Sequence, residues 1–251
     1  MAKTSKNSLG VGIALAISFL VVLLLIFSPI FGEGKNGLVF ADDLFNKLSK
    51  GSSYFIPKVS KDNEKFMGKM FAVNIKMSKP EDKPGDAEKR AERAAKLFAV
   101  NPGAKAEVKG SELKIEGDLG QVLKAALEDS DIMFKNQGDK LKAKYEVPMG
   151  TDDVKQMFRQ WNNVLPKINK EFAKEKKIEE ANIVSAVTKK AVETAYNYYG
   201  VEAQKVSEKA GIMTGLLVFY VAYTMWWGFA IFYIFDGIGL TMSKSKVKKE
   251  V

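Results

Sequence analysis

The sequence predicts an α+β membrane protein: two transmembrane helices flanking an extracytoplasmic ferredoxin-like β-α-β-β-α-β domain, with a long helical stalk or hairpin. Three observations lead there. Residues 11–31 are almost continuously apolar, and residues 211–242 are apolar with no charge from Ile212 to Phe235. At about 1.5 Å per residue, either run is long enough for a hydrocarbon core of about 30 Å. Between them lies a Lys-rich stretch in which apolar residues recur with period two in some places and near 3.6 in others.

The first span follows a short polar segment, 1–10. A candidate cleavage site, Val39-Phe40-Ala41, lies ten residues beyond the end of the apolar run. A signal peptide has a shorter core and a nearby site, so 11–31 reads as an uncleaved signal anchor. Lys3 and Lys6 precede this span, and Lys244, Lys246, Lys248 and Lys249 follow the second. Long loops do not count in the positive-inside rule, so 1–10 and 243–251 are expected in the cytoplasm and about 32–210 in the periplasm or outside the cell. Residues 32–65 read as a linker. In it a short amphipathic helix starts at Asp42 or Asp43, with Leu44, Phe45 and Leu48 on one face.

Residues 66–148 hold the expected sheet domain. Phe71, Val73, Ile75 and Met77 alternate with polar residues as in a half-buried strand. Ala87, Ala91, Ala94, Ala95 and Phe98 then mark a helix, ended by Asn101-Pro102-Gly103. Two short strands meet at Gly110-Ser111, a pair suited to a type II′ turn. Asp118 opens a second helix through Val122, Leu123, Ala126 and Leu127. The alternation of Leu141, Ala143, Tyr145 and Val147 with charged residues predicts a fourth strand. That order is the split βαβ arrangement.

Residues 149–210 are expected to form the stalk. Thr151 reads as an N-cap, with Asp152 and Asp153 favoured by the helix dipole. Val154, Phe158, Trp161, Leu165, Ile168 and Phe172 form an apolar stripe, with a kink or break expected at Pro166. A second helix runs from Ile178 through Ala195, ending at Gly200 or continuing into the membrane. The stripe has two readings: an intramolecular hairpin, or a docking surface carried by Phe158 and Trp161.

The chain has no Cys and no His. This excludes disulfides, thiolate metal sites and thiol nucleophiles, and removes the commonest general base and metal ligand. The net charge of +9 is spread as lysines alternating with acids, the pattern of a solvated surface and not of a nucleic-acid groove. The acidic pairs Asp42/Asp43, Asp129/Asp131 and Asp152/Asp153 lack the spacing of a cation loop. No cofactor, metal or nucleic acid is expected. In the second span, Tyr223, Trp226 and Trp227 lie mid-membrane, away from the usual interfacial belts, and Gly211, Gly215 and Gly228 permit close helix approach. These predict packing against transmembrane helices of other subunits as well as lipid. Asp236 near the span's end is a candidate ion or proton group, or a carboxylate at the interface. The functional expectation is a non-catalytic membrane subunit with a structural, assembly or docking role in a larger prokaryotic inner-membrane complex. The alternative is a ligand- or ion-responsive module using Asp236 and the stalk.

Overall fold

A computed structural model describes residues 6–146 and 151–240 and the side chains outside Lys6 and 151–153. Lys3, Val147, the tail lysines and the side chains of Thr151–Asp153 lie outside that description. The chain forms two compact units, Met1–Leu48 with Gln204–Val251, and Ser49–Ala203. The protein is rich in helix and carries one small sheet.

The first unit is built on α1 (Lys6–Phe27) and α10 (Ala210–Gly237). Both are long and apolar enough to cross a membrane. They pair antiparallel: Leu9 lies against Gly237, and Phe19 against Tyr223 and Trp227. After α1, a turn with positive φ at Gly32, Glu33 and Gly34 leads to α2 (Gly37–Ser52). The helix starts earlier than Asp42 because Asn36 caps it, its Oδ1 accepting from the Val39 amide at 2.9 Å.

The second unit contains α3 (Ile56–Asn63), β1 (Met70–Lys76), α4 (Asp86–Val100), β2 (Ala104–Lys109), β3 (Glu112–Asp118), α5 (Leu119–Phe134), α6 (Gly138–Tyr145), α7 (Thr151–Lys174), α8 (Ile178–Val187) and α9 (Glu193–Asn197). The sheet order is β1-β3-β2, with β3 antiparallel to both neighbours. Gly110 takes a positive φ of 59° at the β2–β3 turn, as the first position of a type II′ turn requires. Phe71, Val73, Ile75, Leu113 and Ile115 face the core. The outer face pairs Lys105 with Glu116, Glu107 with Lys114, and Lys109 with Glu112 across the strands, which suits a surface in water.

The expected fourth strand is α6. Leu141 and Tyr145 are four residues apart, a spacing that is even and also close to one helical turn. Strand and helix patterns therefore coincide over this short segment. Tertiary contacts decide for helix, burying Leu141 and Tyr145 together. The expected βαββαβ order thus becomes βαββαα as far as Tyr145.

The helices after it are no separate stalk. The stripe of α7 enters the same core as the sheet: Phe172 meets Phe71 edge-on at 5.8 Å, and Trp161 meets Phe98 at 6.1 Å. The helix continues through Pro166 to Lys174. Pro166 is exposed, and the burial of five large side chains along the stripe exceeds the roughly 3 kcal/mol a mid-helix proline costs. Packed along α7, α8 passes through a π turn at Thr188–Val192 into α9. The chain then leaves helix, and Val206–Lys209 forms a short 3-10 turn before α10. Of the two endings the sequence allows, the helix thus takes the one near Gly200 and does not continue into α10.

Phe158 is 2% exposed. Phe158→Ala is expected to lower the unfolding free energy by about 3–5 kcal/mol, measured by denaturant titration of the detergent-solubilised chain with circular dichroism. A docking residue on a free surface changes it by less than about 0.5 kcal/mol.

Candidate functional site

The residues singled out in the second span fall into two groups. Tyr223 and Trp227 join a seam with α1, and Trp226 packs on Tyr223 within α10. Phe19 stacks on Tyr223 with centroids 4.0 Å apart and planes 13° apart, and packs on Trp227 at 4.6 Å. Tyr223 also stacks on Phe219 at 5.4 Å and meets Trp226 edge-on at 6.5 Å. Small residues bring the backbones together further along. A Cβ on Gly12 would lie 2.6 Å from the Ile234 nitrogen, and one on Gly237 2.5 Å from the Leu9 Cβ. Ala230 is fully buried, and the same antiparallel register sets Ala16 opposite it. The seam positions 223, 227, 230, 234 and 237 alternate steps of four and three, the repeat that keeps one face of a helix on its partner.

Gly211, Gly215 and Gly228 are not in this seam; a Cβ on any of them would meet nothing within 4 Å. The register reaches the end of α1 before it reaches Gly215. Gly228 follows Trp227 by one residue, about 100° around the helix. The glycines at the close approach of α1 and α10, Gly12 and Gly237, were legible only as small residues spaced along two apolar runs. Asp236 is half-buried in the last turn of α10 beside Gly237, and its carboxylate has no partner among the described residues.

Trp161 belongs to the interior of the second unit. Its Nε1 donates to Asp129 at 2.8 Å, and Lys144 Nζ donates to the same carboxylate at 2.6 Å. Tyr145 donates its hydroxyl to Asp129 and accepts from Asn101 Nδ2 at 2.6 Å. Asp129 is fully buried, so these donors stand in for the water it has lost. The network ties α6 and α7 to α5. Burial and the Asp129 charge push the Tyr145 hydroxyl well above the usual tyrosine range.

Two further features of this unit hold buried polar groups. Lys50, 2% exposed, donates to the Tyr198 carbonyl at 3.0 Å, the Val201 carbonyl at 2.6 Å and Asn136 Oδ1 at 3.0 Å. Asn136 also accepts from the Gly200 amide at 2.8 Å and donates to Val201. The pair thus ties the entry of the chain into this unit to its exit. Between α3 and α5 lies a cleft of about 690 Å³ lined by Tyr54, Ile56, Asn63, Met67 and Asp131. Asn63 is buried there; its Nδ2 donates to the Gly120 carbonyl at 2.8 Å, while its Oδ1 has no partner among the described residues.

Comparison with protein-family models, with curated proteins and with solved structures finds no match for this chain.

Two outcomes check this geometry. The chain has no cysteine, so Ala16→Cys with Ala230→Cys gives one defined pair, expected to cross-link within the monomer on oxidation. Adding Gly12→Leu abolishes the cross-link and adding Gly215→Leu leaves it, as read by gel mobility. Above about pH 10 an unfolded tyrosine loses its proton while folded Tyr145 keeps it. The folded state then binds more protons, so stability falls as pH rises, by up to about 1.4 kcal/mol per unit. Tyr145→Phe is expected to remove that slope and to cost about 1–3 kcal/mol at neutral pH, measured by denaturant unfolding at pH 7 to 11.

Proposed function

We propose that this protein is a non-catalytic membrane subunit, held by α1 and α10 as two spans, with a structural, assembly or docking role in a larger complex. Both termini lie in the cytoplasm in this reading, and Ser49–Ala203 lies on the opposite side. The lysines flanking the spans support that orientation, and antiparallel pairing of α1 and α10 agrees with termini on one side. A ferredoxin-like ancestry for the β1-α4-β2-β3-α5 portion fits its strand order and carries no functional weight.

The observation that carries the subunit reading is mid-span polarity left unpaired by α1. Tyr220 is 66% exposed on α10. A phenol in hydrocarbon seeks a hydrogen-bond partner, and a helix from another chain supplies one to Tyr220. Gly228 and Phe229 belong to the same exposed part of α10. Asp236 fits an interfacial carboxylate at a helix end, where water reaches it.

Extraction in a mild detergent is expected to retain partner chains in fixed ratio, and Gly228→Leu or Tyr220→Phe to lower that ratio, as read by native mass spectrometry. A monodisperse lone chain overturns the proposal.

A further inference from the structure

The chain has 39 basic residues and only three are arginines: Arg90, Arg93 and Arg159. All three line one cleft of about 330 Å³ between α4 and α7, although 66 residues separate Arg93 from Arg159. Lys79 and Lys89 line it too, as do the side-chain amides of Gln156, Gln160 and Asn163.

The cleft is polar and its charges are unequal. Arg90 is spoken for: it forks onto Asp82 at 2.6 and 2.9 Å and donates to the Met77 carbonyl at 2.5 Å. That pairing holds the Asp82 carboxyl down to about 2. Asp86 is the one carboxylate in the lining, and it accepts from the Lys83 amide at 3.1 Å. Lys79, Lys89, Arg93 and Arg159 have no ion-pair partner among the described residues. Some lysines elsewhere pair with nearby acids, as Lys69 does with Glu180, Lys114 with Glu116 and Lys135 with Asp131; what marks the cleft is the convergence of its cations. Lys167, one turn beyond Asn163 on α7, has its pKa lowered by burial and then by the charges of Arg90, Lys79 and Lys170. Asp82 acts in the opposite sense.

Arginine differs from lysine in presenting a planar fork of donors that matches two oxygens of a phosphate at once. Four cations converging on a cleft whose lining holds a single carboxylate, Asp86, leave a net positive field that a multivalent oxyanion neutralises. The volume lies at the small end of ligand pockets, fitting a phosphate-bearing group and not a whole nucleotide. We propose that the α4–α7 cleft is a binding site for a phosphate-type oxyanion, with Arg93 and Arg159 as its principal ligands, Lys79 and Lys89 adding charge, and Arg90 as the positioned wall. The group comes either from a small soluble diphosphate or from an anionic lipid headgroup.

The test uses the full chain in a zwitterionic detergent and inorganic pyrophosphate as probe, followed by isothermal titration calorimetry. Saturable binding at one site per chain is expected. Arg93→Gln and Arg159→Gln each weaken it about tenfold or more, the loss of a charge-assisted hydrogen bond. Arg159→Lys, which keeps the charge and loses the fork, weakens it by less. Lys105→Gln, the same charge change on the outer sheet face, leaves it within about twofold. Circular dichroism confirms that each variant is folded; these are exposed side chains. Competition by phosphatidylglycerol in nanodiscs assigns the site to a headgroup, and its failure assigns it to a soluble anion; either result supports the site. Absence of saturable pyrophosphate binding, or equal weakening by Lys105→Gln, overturns it. This result is independent of whether partner chains co-purify.

Discussion

The second unit depends on the burial of one helical stripe. A three-stranded sheet has an apolar face that needs a cover, and β1 and β3 bring Phe71, Val73, Ile75, Leu113 and Ile115 to it. Val154, Phe158, Trp161, Leu165, Ile168 and Phe172 of α7 enter that same core. Each such side chain adds roughly 1.5–3 kcal/mol when fully buried, and the set is large enough to carry the helix through Pro166. The polar groups drawn in with the stripe are then obliged to find partners. Trp161 Nε1 finds Asp129, and Asp129 in turn recruits Tyr145 and Lys144. The apolar interaction is primary, and the buried network orients what it brings inside.

The first unit solves a different problem. On the proposed reading α1 and α10 lie in hydrocarbon, where joining two helices brings little hydrophobic gain, so close packing must supply the attraction. Gly12, Ala16, Ala230 and Gly237 remove side-chain bulk along one part of the seam, and Phe19 stacks on Tyr223 and Trp227 in another. The same arrangement uses up the mid-span aromatics that face α1 and leaves Tyr220 and Phe229 facing outward. A span that satisfies only part of its polar surface within the chain is the physical basis for the subunit reading.

Much of the fold was legible in the sequence because apolar periodicity reports burial directly. The two apolar helices, the first three strands, the helices through Phe98 and Leu123, and the turn at Gly110 all follow from local pattern. The failures share a cause. At Leu141–Tyr145 the strand and helix periods coincide, so pattern cannot choose. At Phe158 and Trp161 the stripe declares that it will be buried without naming the surface that buries it. The arginine cleft was hidden for a related reason: the scarcity of arginine can be counted, whereas the meeting of Arg93 with Arg159 requires α4 to lie beside α7.

The sequence by itself determined which segments are apolar enough to cross a membrane, which residues turn inward, and which chemistry a chain without Cys or His lacks. These are properties of composition and of spacing along a single element. Only the tertiary structure decided that the supposed stalk is half of a core, that the fourth strand is a helix, that Gly12 and Gly237 lie in the α1–α10 seam, and that three scattered arginines share one cleft. Those outcomes depend on which elements lie side by side. Such pairing is set by complementary surfaces from distant parts of the chain, and no local pattern encodes it.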